Sequence, residues 1–374
     1  MSKRTAFEPE GTKVRSGTLA GRAVSYVVFV AWMLMTVLPL FWMTYSSFKS
    51  NEELTLDVFA LPHDLFDNAE DEYVVIEPSL NLVLPYDPEE DPRERLIIES
   101  TTIAPTRRLM VHFLVKEGLP PEIAALEPGD TLRVSQLPPL MRAKISWSTI
   151  WFNYRSAWVR GGLGLKFLNS VVYASVSTSL IVLLGMMISF ALTKMPFKRL
   201  STFVIAVVGL GYLISINSLI IPLFLLLSSV GLTDTHVGII LVYTAFGLPL
   251  SVLLCSQFMR GLPNSLLESA YMDGASMFRS FVSIVVPMSV PVIITVSIIT
   301  VITIWNEFLL VLVLASSEFT KSLPVGVYSF SSLTNVQLGW QLAALVIATA
   351  PAMIVFFMFN RRITQGVVAG AVKE

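Results

Sequence analysis

The chain has 374 residues, of which 54% are hydrophobic and only 14% are charged, and its net charge at pH 7 is −1. A soluble protein carries about 25% charged residues, so this composition excludes an ordinary soluble protein and indicates a membrane protein. The one cysteine, Cys255, excludes a disulfide framework, and the three scattered histidines give no metal site. No G-x-x-x-x-G-K-[ST] stretch occurs, so any ATP must bind to another subunit.

The chain begins with residues 1–22, which are polar and basic, and continues into the charge-free run 23–48. About 20 apolar residues cross the roughly 30 Å of a bilayer's hydrocarbon core, so this run predicts a first transmembrane helix. The apolar region of a cleavable signal peptide has only about 7–15 residues, and we therefore expect this helix to remain uncleaved.

Residues 50–160 form an acidic insert, because 51–160 hold 19 of the 27 acidic residues but only 10 of the 26 basic ones. Such a split marks a separate water-facing segment. Asp87–Pro92 is expected to be a solvated loop within it. Alternating stretches between Pro- and Gly-bearing turns predict a small β-rich domain, with strands near Arg95–Glu99, Leu109–Val115 and Thr131–Val134.

A cluster of aromatic residues precedes the next apolar run. Its members are Trp147, Trp151, Tyr154 and Trp158. Aromatic side chains at this level fit the interfacial belt of a membrane, and a packed core is the alternative.

Five further charge-free runs define a membrane core over 165–360. They are Phe167–Thr193, Leu200–Thr233, Val237–Met259, Ser280–Asn306 and Ser322–Asn360. The last run is too long for one span, and we expect its membrane helix from Gly339 to about Phe359. With the first helix this gives six transmembrane helices, followed by a tail over 361–374.

The lysines and arginines of the loops sort to one side of these helices. With the N-terminus in the cytoplasm, the inner loops hold Lys194, Lys198, Arg199, Arg260, Arg279, Arg361, Arg362 and Lys373. The outer loops near Asp234 and Glu318 hold only one lysine or arginine, which is Lys321. The positive-inside rule therefore predicts cytoplasmic termini and an extracytoplasmic insert.

The loop over 262–287 is short, polar and rich in helix signals. Pro263 suits the start of a helix, and Ser265 with Glu268 three residues on fits a capping box. Gly274 predicts the end of that helix, because glycine adopts the left-handed conformation of a C-terminal cap. The serine two residues later is expected to cap a second helix. These local signals alone also fit an ordinary loop between two membrane helices.

The same loop resembles the E-A-A…D-G-A…P motif of permease subunits in binding-protein-dependent ABC importers. In that family the loop docks into a groove of the cytoplasmic ATPase, and Ser269 here replaces the first alanine of the triplet by another small residue. The resemblance implies that this loop couples the chain to an ATPase through Glu268, Ser269, Ala270, Asp273, Gly274, Ala275 and Ser276.

Further stretches resemble the sugar-importing, MalG-like branch of these permeases. They are Phe167–Ser170, Ile221–Thr235, Gly247–Pro249, Trp305–Phe308 and Gly366–Lys373. The resemblance implies the six-helix, all-α permease fold of a type I ABC importer in a bacterial inner membrane. The long insert departs from most relatives and resembles that of alpha-glucoside permeases.

The resemblance also implies partners and a mechanism. The chain is expected to work by alternating access with a second, MalF-like permease, a homodimeric ABC ATPase that binds ATP and Mg²⁺, and an extracytoplasmic sugar-binding protein. It is expected to bind no cofactor, metal or nucleic acid and to have no catalytic residue. The implied cargo is an oligosaccharide or a disaccharide such as an alpha-glucoside, maltose or trehalose, with glycerol-3-phosphate or a polyol as the alternative.

Candidates for the translocation path are Asn169, Trp305, Asn306 and Glu307. Glu307 is the only formally charged residue between Arg279 and Glu318, and a carboxylate in a membrane is costly unless it faces protein or water. A transport role and a packing role near the outer interface stay equally open for it. Asn306 likewise serves packing as readily as transport.

Pro287 and Pro291 lie one turn apart at the cytoplasmic end of the fifth helix, where they interrupt its regular hydrogen bonding. With Pro263 they form a predicted hinge that gives the coupling helices an independent angle.

Two rival classes fit the sequence less well. A secondary transporter working alone shows several intramembrane charges and broken helices in corresponding halves, and an enzyme needs convergent catalytic groups. Neither pattern occurs here. Three roles stay open for the insert: it contacts the binding protein, it braces the partner permease, or it is inert. Unchanged transport after deletion of residues 60–140 would exclude the first two.

Overall fold

The computed structural model describes residues 17–62, 73–77, 96–103, 106–113, 131–133, 135, 147, 150–330 and 337–371. Helices dominate these ranges, in agreement with the predicted all-α membrane fold. The basic residues before Gly17, the expected loop Asp87–Pro92 and residues 372–374 lie outside the described part of the chain.

The first helix, α1 (Gly17–Ser46), covers most of the predicted span 23–48. None of the residues in its most apolar window is buried, so its side chains are left for lipid or another chain to cover. The short α2 (Asn51–Leu56) follows it. A capping box starts α2, because Ser50 Oγ accepts the Glu53 N–H at 3.2 Å and the Glu53 carboxylate accepts the Ser50 N–H at 2.6 Å.

The predicted insert contains four strands, which are β1 (Tyr73–Glu77), β2 (Leu96–Ile103), β3 (Thr106–Phe113) and β4 (Thr131–Arg133). They form one sheet in the order β2-β3-β1-β4. β1 pairs in parallel with β3, and the other two pairings are antiparallel. Three of the strands overlap the stretches with a strand-like pattern.

The helix α3 (Phe152–Arg160) is the last part of the insert before the membrane core and carries two members of the aromatic cluster, Tyr154 and Trp158. Trp147 is 66% exposed and Trp151 is 40% exposed, although their rings lie 5.7 Å apart. Tyr154 instead packs inward, and its hydroxyl lies 2.6 Å from Ser47 Oγ beside the end of α1. The exposed tryptophans fit an interfacial belt, whereas Tyr154 belongs to the packing.

The core of the membrane domain is the pair of long helices α4 (Leu163–Lys194) and α7 (His236–Arg260). Small residues bring the two backbones together. A Cβ added at Gly185 would lie 2.1 Å from Ser251 Oγ, and one added at Gly247 would lie 2.3 Å from Ile181 Cδ1. Membrane helices associate through such close packing, because lipid supplies little hydrophobic driving force between them.

The run Leu200–Thr233, predicted as one span, is instead two helices, α5 (Lys198–Tyr212) and α6 (Ile216–Ser229). They meet at an angle of 98°. The proline of this run, Pro222, lies inside α6 and does not cause the bend. The break falls at Leu213–Ser215. The backbone of Ser215 is extended, and α6 begins at the next residue.

The loop after α7 contains α8 (Asn264–Met272) and α9 (Met277–Ser280), which leads into a π-helical turn over Phe281–Val285. The chain then forms α10 (Val286–Met288), α11 (Val290–Asn306), α12 (Leu309–Leu314) and α13 (Leu323–Tyr328). The last helix, α14 (Leu338–Ala371), runs past the expected end at Phe359 and through most of the predicted tail 361–374.

Within the described residues, four helices are long and apolar enough to cross a membrane, and the number is six if each bent pair forms one span. The bent pairs are α5 with α6, and Met277–Met288 with α11. The six-helix topology therefore stays a prediction.

We expect Gly185→Val to destabilise the protein, because the added side chain would push α4 away from Ser251. Overpacking of a tight core costs about 1–3 kcal/mol. Thermal unfolding of the purified protein in detergent measures the effect, and Gly209→Val in α5 is the matched control, since no atom lies within 4 Å of a Cβ added there. Equal unfolding temperatures for the two variants would contradict the close contact.

Candidate functional site

The helix α8 begins two residues earlier than its capping signal at Ser265 predicted. Pro263 occupies the N-cap position and no side chain caps the helix. The predicted capping box of Ser265 and Glu268 is therefore wrong, because both residues fall inside the helix. Ser265 instead uses its carbonyl to accept the Ser269 hydroxyl at 2.9 Å.

The end of α8 matches the prediction from Gly274. This residue has φ +78°, and its N–H donates to the Tyr271 carbonyl at 3.0 Å. The N–H of Ala275 donates to the Ala270 carbonyl at 2.9 Å. These two bonds form a Schellman motif, which ends the helix sharply and fixes the direction of the chain that follows.

Ser276 caps the second helix as predicted. Its Oγ accepts the Arg279 N–H at 3.3 Å, and its carbonyl accepts the Ser280 hydroxyl at 3.1 Å. The loop is thus two short helices with defined ends, held at a fixed angle by one left-handed glycine.

The helix α8 has one buried face and one exposed face. Leu267 and Ala270 are 6% and 8% exposed, and Leu267 packs with the hydrophobic core. Ala270, one of the residues expected to contact the ATPase, therefore does not line the solvent-exposed surface of the helix. Glu268, Ser269 and Asp273 are exposed there. Exposed apolar side chains also occur on α8 and α9, and they are here together called the apolar patch: Leu266, Tyr271, Met272, Met277 and Phe278.

The sequence prediction missed the apolar patch, although large apolar residues within a polar loop are visible in the sequence. In the structure, Met272 is 88% exposed and Phe278 is 70% exposed. Exposed large apolar side chains in a polar segment are typical of a surface that binds another protein.

The segment after this loop bends by 74° between Met277–Met288 and Val290–Asn306. Pro287 and Pro291 flank the bend on either side. Ser289 at its centre is fully buried, and its hydroxyl has no hydrogen-bond partner among the described residues. The geometry suits a hinge, and movement at this point stays a prediction.

Two of the translocation-path candidates are engaged in packing. Asn169 is 5% exposed and donates to the backbone carbonyls of Phe319 and Lys321. Trp305 is 8% exposed, and its Nε1–H donates to the Ala348 carbonyl at 3.0 Å. Asn306 is exposed and bonds within its own helix, to the Ile302 carbonyl at 2.9 Å.

Glu307 lies at the break between α11 and α12, and both of its carboxylate oxygens accept hydrogen bonds. Oε2 accepts the Tyr243 hydroxyl at 3.0 Å, and Oε1 accepts the Leu310 N–H at 2.8 Å. The second bond satisfies a free N–H at the start of α12. These contacts support the packing interpretation, and the half-buried side chain stays a candidate for transport.

A cavity of about 430 Å³ lies between the middle of α4 and the bent segment. Its lining includes Thr178 and Met186 on one side and Phe281 and Ser297 on the other. The cavity therefore borders the bend at Ser289.

The loop over 262–287 is here called the coupling loop after its predicted role. The end of α4 opposite this loop carries a polar stripe, here called the distal stripe. Its members are Lys166, Asn169, Ser170 and Tyr173. They recur at i, i+3, i+4 and i+7 and so share one face of the helix. Ser170 Oγ accepts the Leu323 N–H at 2.8 Å, and Lys166 Nζ lies 2.8 Å from the Glu318 carboxylate.

The other two members bind the loop 315–322, here called the distal loop. Asn169 Nδ2 donates to the carbonyls of Phe319 at 2.6 Å and Lys321 at 3.0 Å. The Tyr173 hydroxyl donates to the Thr320 carbonyl at 2.7 Å. The spacing of the stripe is visible in the sequence, but its partner loop is known only from the fold.

Asp234 holds the same loop from the other side. Its backbone has φ +57°, and its Oδ1 accepts the N–H groups of Ser316 and Ser317 at 3.0 Å each, as well as the Thr320 hydroxyl. The hydrogen bonds from Thr320 and then from Ser317 hold the pKa of the Asp234 carboxyl below its ordinary value. A negative charge on Asp234 therefore stabilises the folded loop.

A membrane domain with a capped helix pair exposed at one end has the features of a transport subunit that works with a partner protein. The chain belongs to the family of binding-protein-dependent transport system inner membrane components, whose members match residues 156–368, more than half of its length.

Individual relatives agree with this membership. The chain is 33% identical over 258 residues to the trehalose transport system permease protein SugB of Mycobacterium tuberculosis (strain CDC 1551 / Oshkosh), covering 67% of this chain and 89% of that protein. It is 34% identical over 229 residues to the alpha-glucoside transport system permease protein AglG of Rhizobium meliloti (strain 1021), covering 59% and 60%.

A solved structure has a similar fold. The crystal structure of a bacterial ABC transporter involved in the import of the acidic polysaccharide alginate matches with a TM-score of 0.60 and 17% identity. The match covers 96% of this chain and 99% of that chain. At this identity the likeness is one of fold.

Folding lowers the pKa of Asp234, so its stabilisation is fully present above the unfolded value of about 3.9 and is lost as the pH falls through the folded value. We expect Asp234→Asn to be less stable near neutral pH by about 1 kcal/mol, because an amide accepts weaker hydrogen bonds than a carboxylate. Asparagine tolerates the positive φ, so the substitution isolates the charge.

Thermal unfolding of wild type and variant at a series of pH values tests this. The gap should persist at about pH 5 and shrink below about pH 4, where the wild-type carboxyl takes up its proton. A gap that stays constant below about pH 4, or no gap at neutral pH, would contradict the role of the charge.

Proposed function

We propose that this chain is one permease subunit of an ATP-driven importer that receives a sugar from an extracytoplasmic binding protein. The cargo is an oligosaccharide or a disaccharide such as an alpha-glucoside, maltose or trehalose. The observation that carries this proposal is the coupling loop, with its Schellman turn at Gly274, its Ser276 cap and its exposed apolar patch. The relatives SugB and AglG, which are named for trehalose and alpha-glucoside transport, support the choice of cargo.

The partners follow from this proposal. A second, MalF-like permease completes the pathway, and a homodimeric ATPase binds ATP and Mg²⁺ below it. The coupling loop then faces the cytoplasm together with both termini, and residues 50–160 face outward. The excess of lysine and arginine in the loops on the coupling-loop side supports this orientation.

The coupling loop docks on the ATPase through two kinds of contact. Met272 and Phe278 enter an apolar groove, since exposed large apolar side chains contribute most where they become fully desolvated. Glu268 and Asp273 pair with basic residues of the partner, and Ser269 leaves room for its close approach. A displacement of the ATPase then moves the loop as one body, because the Schellman turn that ends α8 leads directly into the Ser276 cap of α9.

The bend at Ser289 lets this movement change the angle of α11. Pro287 and Pro291 remove backbone hydrogen bonds on either side of the bend, which lowers the cost of changing the angle. The neighbouring cavity supplies free volume for the movement. Movement of the coupling loop thus passes through this hinge to the region of Asn306 and Glu307. Alternating access results from this movement.

We expect Gly274→Trp to uncouple ATP hydrolysis from uptake while the helices still insert. A side chain at φ +78° is strained by about 1–2 kcal/mol, and a bulky ring would occupy the docking surface. Uptake should fall by about tenfold or more, within the range of coupling between distant sites.

Gly231→Trp is the matched control for this variant. Gly231 also has positive φ, at +69°, and no atom lies within 4 Å of an added Cβ, but it lies before α7 and away from the coupling loop. Proteoliposomes that contain the whole complex would be assayed for ATP hydrolysis and for uptake of labelled trehalose, maltose and glycerol-3-phosphate. Normal uptake by Gly274→Trp would refute the coupling role, and uptake of glycerol-3-phosphate alone would refute the sugar cargo.

A further inference from the structure

Lys194 is the last residue of α4, and its ammonium group reaches across to the start of the coupling helix. Its Nζ donates to the Leu262 carbonyl at 2.8 Å and to Asn264 Oδ1 at 2.8 Å. Leu262 lies in the link between α7 and α8, and Asn264 is the first residue of α8. Among the described residues, these are the hydrogen bonds that connect α4 to the coupling helix and the link before it.

The two bonds give the coupling helix a second connection to the membrane core. The chain itself connects α8 to α7 through Gly261–Pro263. Lys194 connects the same point to α4, a different helix. A charge-assisted hydrogen bond is roughly twice as strong as a neutral one, and a lysine in the last turn also suits the dipole of α4.

The helix α4 extends from this contact to the opposite end of the molecule. It has 32 residues, which corresponds to about 48 Å. Tyr173 and the rest of the distal stripe hold the distal loop near its other end. A rigid α4 therefore joins the start of the coupling helix to the distal loop.

We propose that Lys194 is a positioning residue that fastens the start of the coupling helix to α4. Movement of the coupling helix is then delivered to α4 directly, as well as to α7 through the chain. The distal loop follows because the distal stripe binds it to α4. This inference rests on the proposed function, and it adds a residue outside the coupling loop to the machinery of coupling.

Three substitutions separate this role from a general effect on folding. Lys194→Met removes the charge and every donor but keeps much of the apolar stem. Lys194→Arg keeps a charged donor at the same place. Asn264→Ala removes the side-chain partner and leaves the Leu262 carbonyl as an acceptor, and because Asn264 is exposed, folding should tolerate the change.

The measurement is the ATPase rate of the complete complex in nanodiscs, with and without its binding protein. We expect Lys194→Met to lower the ratio of stimulated to basal rate by about fivefold or more, Lys194→Arg to stay within about twofold of wild type, and Asn264→Ala to lie between them. A wild-type ratio for Lys194→Met would overturn the inference, and so would an equal loss for the methionine and arginine variants. If Lys194→Met does not assemble, a wild-type ratio for Asn264→Ala overturns it.

A cross-link distinguishes this inference from the proposed function on which it rests. Ser276→Cys should cross-link to the ATPase in an otherwise wild-type background. Absence of that cross-link would refute the proposed function and the inference with it. The same cross-link would also be tested in the Lys194→Met variant. A cross-link in both the wild-type and the Lys194→Met background, together with an unchanged ATPase ratio in Lys194→Met, would refute only the role of Lys194.

Discussion

The close contact between α4 and α7 is the constraint on which both ends of the membrane domain depend. Gly185 against Ser251 and Gly247 against Ile181 let the two backbones approach where any larger residue would separate them. One end of this pair holds the distal loop through Asn169 and its neighbours, and the other carries the coupling loop. Because packed helices are stiff, the pair fixes the positions of both loops with respect to each other.

The rest of the membrane domain is made of interrupted helices around this pair. The chain bends by 98° before Ser215, bends by 74° at Ser289 and breaks again at Glu307. At Glu307 the carboxylate ties the freed backbone to α12 and to α7 through Tyr243. Irregular backbone at membrane depth is tolerated only where protein or water satisfies it. The bends are therefore positions where the surrounding protein must satisfy the interrupted backbone.

Features that follow from local rules could be predicted from the sequence. The long apolar runs predicted α1, α4 and α7, and Gly274 and Ser276 predicted the turn and cap of the coupling loop. The capping box failed because Pro263 took the cap position, so Ser265 and Glu268 fell within the helix.

Features that depend on tertiary contacts could not be predicted. Ala270 turns inward, Asn169 binds a loop some 150 residues away, and Lys194 meets Leu262 only after α4 and α7 have packed.

The most direct test of the proposed transport function is a gentle pull-down from native membranes with mass spectrometry. It should recover an ATPase, a second permease and a sugar-loaded binding protein. Recovery of the chain alone, with no ATPase even after cross-linking at Ser276, would contradict the coupling role.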